Sequence, residues 1–267
     1  MRMQQQQQQQ TSQPLRVLIT GASSGIGRGL AQWYAHRGHT VGALARRQDL
    51  LEELAAAHSN VVPLIADVCD AEQTEQAVSR FALEAGGLDV AYANAGVGQR
   101  TREEGWDADR AELIAQVNVV GATNTICAAT SIMLEQGRGH LVGISSLAGH
   151  CPLPDAAAYG ASKAWLVFYL RSLAMDLGPC GIRCTVVMPG YVSTQMVDGT
   201  GVELLTPQAR RAADRIAQGV ARGQETIRFP RRVSLLTRLA GLTPASLRAS
   251  MQRRRLHKRA TSRSQGR

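Results

Sequence analysis

Residues 15–27 have the sequence LRVLITGASSGIG, and this stretch indicates the class of fold. Its first six residues form a short apolar run, and three glycines at close spacing follow it: Gly21, Gly25 and Gly27. An apolar pattern of helical period then continues to Gly38. A strand, a glycine-rich turn and a helix in this order are the context that a dinucleotide-binding turn requires.

Each glycine of this turn has a physical reason to be there. Gly21 allows a tight turn, Gly25 lets the backbone approach a pyrophosphate, and Gly27 lets the helix pack closely on the strand. The N–H groups at the start of the helix can bind phosphate oxygens. The candidate pyrophosphate-binding residues are therefore those of the turn: Gly21, Ser23, Ser24, Gly25, Ile26 and Gly27.

Two arginines follow the second predicted strand, residues 40–45. At this point of a dinucleotide fold a carboxylate accepts from a free ribose 2′-hydroxyl, whereas a cation suits a 2′-phosphate. The sequence has no carboxylate here, and Arg46 is well placed to pair with phosphate. We therefore expect NADP as the cofactor in preference to NAD. The alternative is that Arg46 and Arg47 only begin the next helix in solvent.

Further apolar runs predict a third to a seventh strand, with helices between most of them, at residues 61–66, 88–93, 139–146, 182–188 and 225–230. Strands joined by helices pair in parallel through right-handed crossovers. The sequence thus predicts an α/β, doubly wound fold with helices on both faces of the sheet. The carboxyl ends of its strands should line one crevice, which is where ligands bind in open sheets.

The predicted helix at residues 156–177 carries Tyr159 and Lys163. Residues four apart share one face of a helix, so the hydroxyl and the ammonium can point into the same space. A phenol titrates near pH ~10, and a neighbouring cation favours the phenolate. Such a tyrosine can act as a general acid or base. By spacing alone, a solvated lysine beside a half-buried tyrosine is the more common explanation of the pattern, and the other motifs of the chain favour the catalytic one.

A long helix is predicted from Asp107 to about Gly137, with a kink expected at Gly121. It carries Asn118 among apolar neighbours, and a buried amide requires hydrogen-bond partners. After residue 194 the pattern predicts a lid at residues 197–205 and a helix that starts with Thr206 as N-cap.

The chain resembles the short-chain dehydrogenase/reductase family over residues 15–194. The resemblance rests on markers in a fixed order, which are TGxxxGxG from Thr20 to Gly27, Asp67-Val68, Asn94-Ala95-Gly96, Asn118, Ser146, Tyr159-x-x-x-Lys163 and Pro189-Gly190-x-x-x-Thr194. It implies the Rossmann fold with about seven strands in the order 3-2-1-4-5-6-7, and an enzyme that transfers a hydride between NADP(H) and a carbonyl or secondary alcohol.

The resemblance also implies roles. Tyr159 corresponds to the general acid/base and Lys163 to the cation that tunes it and holds the nicotinamide ribose. Ser146 corresponds to the residue that binds the substrate oxygen, with its neighbour Ser145 less favoured, and Asn118 to the residue that holds a proton-relay water. The implied cofactor contacts are Asp67 and Val68 at the adenine, Asn94, Ala95 and Gly96 beneath the cofactor, and Pro189, Gly190, Val192 and Thr194 at the nicotinamide. Relatives are commonly dimers or tetramers, so we expect a homodimer or homotetramer.

Charged residues are distributed unevenly along the chain. Of 30 Lys and Arg residues, twelve lie between Thr226 and Arg267, a segment without Asp or Glu, so the remaining 18 face 21 acidic residues. We expect a disordered, Gln-rich extension at residues 1–14, a catalytic domain at 15–230, and a basic, partly helical tail at 231–267. The tail can dock on its own domain or associate weakly with a membrane surface. Nucleic acid is not expected as a partner, because no binding motif accompanies the charge.

Several classes of protein are disfavoured. No apolar run reaches the ~18 residues of a membrane span, and the N-terminus lacks a signal sequence, so we expect a cytoplasmic protein. The five cysteines form no Cys-x-x-Cys pair, and no metal site is expected. A catalytically silent dinucleotide-binding protein and a membrane-surface adaptor are the competing functions. The intact set of Asn118, Ser146, Tyr159 and Lys163 argues against a silent protein, since a binder needs only the glycine turn.

Overall fold

The computed structural model describes residues 13–98, 107–153, 155–190, 205–230, 233–235 and 237. Their centre is one sheet of seven parallel strands in the order β3-β2-β1-β4-β5-β6-β7. The strands are β1 Arg16–Thr20, β2 Thr40–Ala45, β3 Val61–Ile65, β4 Val90–Ala93, β5 Gly139–Ile144, β6 Ile182–Pro189 and β7 Thr226–Phe229. The predicted fold class and strand order are confirmed.

Helices cover both faces of this sheet. They are α1 Gly25–Ala35, α2 Gln48–Ala57, α3 Ala71–Ala85, α4 Ala108–Ala115, α5 Gly121–Gln136, α6 Ala157–Leu177 and α7 Pro207–Ala221. Side chains alternate across a strand, so β1 sends Val17 and Ile19 to one core cluster and Leu18 to the other. The first cluster lies under α1, α2 and α7, and the second under α3, α5 and α6. Burial on both faces explains why the strands are continuous apolar runs.

The long helix predicted between Asp107 and Gly137 is interrupted before Gly121. A π-helical turn, Gln116–Val120, separates α4 from α5 and ends at Gly121, the position at which a kink is predicted. The combined helix, Ala108–Gln136, is long and apolar enough to cross a membrane by length and composition, although half of its most apolar window is buried in the protein. It packs here as a core helix on the sheet.

The last described elements agree with the predicted helix start. Thr206 caps α7, because its hydroxyl accepts a 3.1 Å hydrogen bond from the N–H of Ala209, and Pro207 occupies the first turn. β7 then pairs in parallel with β6 at the edge of the sheet. The Gln-rich extension to residue 12, the predicted lid up to residue 204 and most of the basic tail lie outside the described residues.

Candidate active site

The glycine turn after β1 is shaped by close backbone contacts. Gly21 and Gly25 have φ values of +67° and +57°, a region that side-chain-bearing residues rarely adopt. A Cβ on Gly27 would collide with the carbonyl oxygen of Gly21 and sit 2.5 Å from Nδ2 of Asn94. The turn is thus closed tightly at the start of α1, and only glycine fits there.

The N-terminus of α1 has no side-chain cap among the described residues, as is also the case for α2, α5 and α6. α3, α4 and α7 are capped by the side chains of Asp70, Asp107 and Thr206. α1 starts at Ser24, whose side chain makes no cap hydrogen bond within the described structure. Its hydroxyl instead accepts a 2.7 Å hydrogen bond from Nη2 of Arg47. The Ser24 side chain therefore leaves the first N–H groups of α1 without a side-chain acceptor from the part of the chain that the structure describes, and the helix dipole favours an anion at this end.

The two arginines after β2 occupy different positions. Arg47 reaches back to the glycine turn and donates to Oγ of Ser23 at 2.8 Å as well as to Ser24. Arg46 is 67% exposed and approaches Oδ2 of Asp67 at 3.5 Å. Burial raises the pKa of the Asp67 carboxyl, but hydrogen bonds from Cys69 and the charge of Arg46 outweigh it and hold that pKa below its usual value. Arg47 thus places a cation at the turn and Arg46 places one beside Asp67, and either charge suits a bound phosphate.

Asn94 ties the end of β4 to the glycine turn. Its Nδ2 donates to the carbonyl oxygen of Thr20 at 2.7 Å. The Thr20 hydroxyl accepts in return from the N–H groups of Asn94 and Ala95, at 3.1 Å and 3.2 Å. The carbonyl oxygen of Val68 accepts from Nδ2 of Asn124 on α5 at 2.9 Å. These bonds join the carboxyl ends of β1 and β4 to each other and attach the segment after β3 to α5.

Lys163 is buried at the carboxyl ends of the strands. Its side chain is on α6, is 3% exposed, and donates from Nζ to the carbonyl oxygen of Ile144, the last residue of β5, at 2.9 Å. Nζ lies 5.8 Å from the centre of the Tyr159 ring, so the two side chains share one space as predicted. Burial lowers the pKa of the lysine to about 8. The ammonium form therefore predominates near pH ~7 and places a positive charge beside the phenol.

The two serines after β5 face different partners. The Ser145 hydroxyl donates to the carbonyl oxygen of Lys163 at 2.7 Å, which engages its proton. The Ser146 oxygen accepts a 3.1 Å hydrogen bond from the N–H of Ala148, and within the described part of the chain its proton has no acceptor. Of the two serines, Ser146 is therefore the one whose hydroxyl is suited to donate to a substrate oxygen.

Asn118, at the centre of the π-helical turn, is buried and both of its amide protons are engaged. Its Oδ1 accepts from the N–H of Val97 at 2.7 Å, and its Nδ2 donates to the carbonyl oxygen of Val97 at 2.8 Å and to the Ser162 hydroxyl at 3.0 Å. The side-chain amide thus joins the segment after β4 to α6. Both amide protons are used, so a water held by Asn118 would donate to the remaining lone pair of Oδ1 or to a backbone carbonyl oxygen.

A family model described as short chain dehydrogenase matches residues 16–203. An uncharacterized oxidoreductase of Myxococcus xanthus is 40% identical over 242 residues, which cover 89% of this chain and 96% of that protein. The chain belongs to the short-chain dehydrogenase/reductase family.

Solved structures of this family have the same fold. A short-chain dehydrogenase from Streptomyces avermitilis is 26% identical with a TM-score of 0.76, and the match covers 94% of this chain and 99% of that one. A short-chain dehydrogenase/reductase from Burkholderia phymatum, solved in complex with NAD, is 23% identical with a TM-score of 0.75 over 85% and 92% of the two chains. At that identity the second likeness concerns the fold alone.

The site fits an NAD(P) dinucleotide of the kind typical of short-chain dehydrogenases. The glycine-only turn, the uncapped start of α1 and the neighbouring cations suit its phosphates, and Asp67 and Val68 suit its adenosine end. Pro189 and Gly190 lie at the carboxyl end of β6, where Gly190 donates its N–H to the carbonyl oxygen of Phe229 at 2.7 Å. Val192 and Thr194 lie outside the described residues.

Three residues that the sequence reasoning did not assign to the site contribute to it: Thr20, Arg47 and Ser162. Arg47 was considered only as part of the next helix, whereas its guanidinium contacts both serines of the glycine turn. No local sequence signal separates Arg47 from Arg46, because their difference depends on which way each side chain leaves β2. Within the described residues, no cluster of His, Cys, Asp and Glu is arranged to hold a metal ion.

Proposed function

We propose that this short-chain dehydrogenase is an NADP-dependent oxidoreductase that interconverts a carbonyl and a secondary alcohol. The observation that carries the proposal is the buried ammonium of Lys163 beside the Tyr159 ring, at the sheet edge where the glycine turn opens. Burial of a charge is costly, and a lysine retained in such a place is commonly functional.

The chemistry divides between cofactor and protein. A nicotinamide cofactor supplies a hydride when bound. Ser146 and Tyr159 donate hydrogen bonds to the substrate oxygen and stabilise the negative charge that grows on it. Tyr159 then transfers its proton to that oxygen, and the Lys163 ammonium stabilises the phenolate that remains. In the opposite direction the phenolate removes the proton of an alcohol.

Preference for NADP is supported by the charges at the glycine turn. Arg47 donates hydrogen bonds to the hydroxyls of Ser23 and Ser24, and the Arg46 guanidinium lies beside the Asp67 carboxylate. A 2′-phosphate can take charge-assisted hydrogen bonds from both guanidinium groups. Asp67 lies beside Arg46, which offsets the charge of this carboxylate.

A cofactor-consumption screen tests this function. Purified protein is mixed with NADPH or NADH and a panel of ketones, aldehydes, acyl thioesters and steroids, and oxidation of the cofactor is followed. We expect turnover of at least one carbonyl class, faster at low concentrations of NADPH than of NADH. Absence of turnover with every class and both cofactors would contradict the proposed activity, and equal use of NADH would contradict the NADP preference.

We also propose that the enzyme is a homodimer that associates through the outer faces of α5 and α6. Phe168 and Met175, seven residues apart on one face of α6, are 72% and 73% exposed, and Leu134 on α5 is 46% exposed. The inner side of α6 is already buried on the sheet, so its exposed apolar face favours contact with another protein surface. A second copy of the chain offers a matching surface.

Light scattering after size exclusion tests the dimer. Phe168→Glu combined with Met175→Glu should convert a dimer into a monomer, because two charges per copy would be buried in the interface. Leu83→Glu is the matched control, since Leu83 is 84% exposed on a different helix, α3. A monomeric wild-type protein, or a double variant that stays dimeric, would contradict the assignment.

A further inference from the structure

Ser162, the residue before Lys163, links two parts of the site through one buried hydroxyl. Its Oγ donates to the carbonyl oxygen of Tyr159 at 2.8 Å and accepts from Nδ2 of Asn118 at 3.0 Å. One hydroxyl proton and two lone pairs satisfy both bonds. The helix that carries the acid/base is thereby joined to the π-helical turn of the neighbouring helix.

The connection continues past Asn118 and returns to the tyrosine. The Asn118 amide makes two hydrogen bonds to the backbone of Val97, at 2.7 Å and 2.8 Å. The next residue, Gly98, lies against the Tyr159 ring, since a Cβ there would stand 2.5 Å from Cδ2 of the ring. Contacts thus run from the Tyr159 backbone through Ser162, Asn118 and Val97 to Gly98, which rests against the ring of the same tyrosine.

The hydrogen bonds of Asn118 and Ser162 in this closed loop leave the two side chains little freedom to reorient. Both protons of the Asn118 amide are used, one by Val97 and one by Ser162. Asn118 itself sits in a π-helical turn, a feature that is often found at functional sites. Loss of the Ser162 hydroxyl would leave one Asn118 N–H without its acceptor and would release the coupling between the two helices.

We propose that Ser162 is a positioning residue, which fixes the Tyr159 ring relative to Gly98 through the Asn118 amide. The inference rests on the proposed function, because it concerns the orientation of the proton donor. A displacement of about 1 Å at a reacting group can cost up to about a hundredfold in rate. Replacement of Ser162 should therefore lower kcat about 10- to 100-fold, whereas the glycine turn and its cofactor contacts stay unchanged.

Ser162→Ala tests this directly. We expect the loss in kcat, an unchanged Kd for NADPH, and a displaced ionisation in the pH profile of kcat, because the phenol is no longer held in one position. Ser162→Thr keeps the hydroxyl and should restore most of the rate. Thr125→Val is the matched control, since the Thr125 hydroxyl is also buried in a helix but donates to Gly121 of its own helix at 2.8 Å.

The results of these variants distinguish failure of this inference from failure of the proposed function. Ser162→Ala with kcat within about twofold of wild type and the same pH profile would overturn the inference, as would equal losses in Ser162→Ala and Thr125→Val. Should Ser162→Ala fail to fold, Ser162→Cys, which keeps the size but weakens both hydrogen bonds, must show the loss of kcat and the displaced profile. Failure of the proposed function looks different, because the wild-type protein itself would then show no cofactor-dependent turnover.

Discussion

His140 and Lys163 are two buried, basic side chains at opposite ends of the same strand. His140 is part of β5 near its amino end, and Lys163 bonds to Ile144 at the carboxyl end. Burial lowers the pKa of both groups, to about 4 for the imidazole and about 8 for the ammonium. The histidine is therefore neutral at pH ~7, whereas the lysine keeps its charge.

The hydrogen bonds of the two groups explain why only one of them suits catalysis. Nε2 of His140 lies 2.8 Å from the Thr185 hydroxyl, which donates to the carbonyl oxygen of Gln224 at 2.7 Å. The imidazole thus stands at the end of a chain of hydrogen bonds, in which Nε2 already has a partner. Lys163 has three donors, and among the described residues it bonds to Ile144 alone. A buried cation with spare donors costs stability and is available to a ligand, which is what a catalytic site needs.

Lys163→Met should give the largest effect. Turnover should fall at least about a hundredfold, because the phenolate loses its stabilising charge. The same substitution should raise the stability of the folded protein, because burial disfavours the ammonium of the wild type. The unfolded chain binds more protons than the folded one between the folded lysine pKa of about 8 and its ordinary pKa of 10.5, so wild-type stability rises with pH in that window.

Denaturant unfolding of both proteins without cofactor measures this. Between about pH 7 and about pH 9.5 the wild type should gain about 2 kcal/mol relative to the variant. A wild type whose stability does not rise relative to Lys163→Met would mean that the ammonium is better solvated than its burial indicates.

His140→Gln should change the acid side of the stability profile and leave turnover within about twofold. The unfolded imidazole binds a proton below its ordinary pKa of 6.5, whereas the folded one does not until about 4. Stability is therefore lost as the pH falls through this range, by about 2 kcal/mol at about pH 5. The variant should lack that loss in parallel denaturant titrations. Equal slopes for both proteins would show that the imidazole is not kept neutral by folding.

Arg47→Ala and Arg46→Ala extend the comparison to exposed cations, where effects should be smaller. Arg47 makes charge-assisted hydrogen bonds at the glycine turn, so its loss should weaken NADPH about 10- to 100-fold. Arg46 is solvent-exposed, and its loss should weaken NADPH up to about fivefold. NADH should change less than about twofold in Arg46→Ala, whereas Arg47→Ala should weaken NADH as well, although less than NADPH, because the turn that Arg47 contacts binds the pyrophosphate of either cofactor.

Isothermal titration with each cofactor gives the four affinities, and Arg80→Ala on α3 is the control for lost charge. Equal weakening of NADPH and NADH would remove the basis for the NADP preference. An Arg46 effect larger than that of Arg47 would reverse the order that the hydrogen bonds predict.

The elements of the fold could be predicted because their signals are local. The apolar runs at β1 and β2, the glycines of the turn and the Thr206 cap each depend on neighbouring residues, and the structure has them within one or two residues of the predicted bounds. The pairing of Tyr159 with Lys163 was predictable for the same reason, since helical spacing alone brings the two together.

Contacts between distant segments could not be predicted in this way. The π-helical turn at Asn118 depends on packing and has no local signal that separates it from a glycine kink. The bonds that join Ser162 to Asn118 span 44 residues, and those that join Asn118 to Val97 span 21. The difference between Arg46 and Arg47 likewise depends on side-chain direction, which a sequence pattern does not contain.

The most direct test of the central claim is the turnover of Tyr159→Phe, measured beside its affinity for NADPH. Tyr169→Phe is the matched control, because it removes a phenol ten residues along the same helix that contacts Cys127 on α5. With a substrate found in the carbonyl screen, Tyr159→Phe should lose at least about a hundredfold in kcat while NADPH binding stays within about twofold, and Tyr169→Phe should keep its activity. Substantial turnover by Tyr159→Phe would contradict the assignment of this phenol as the proton donor.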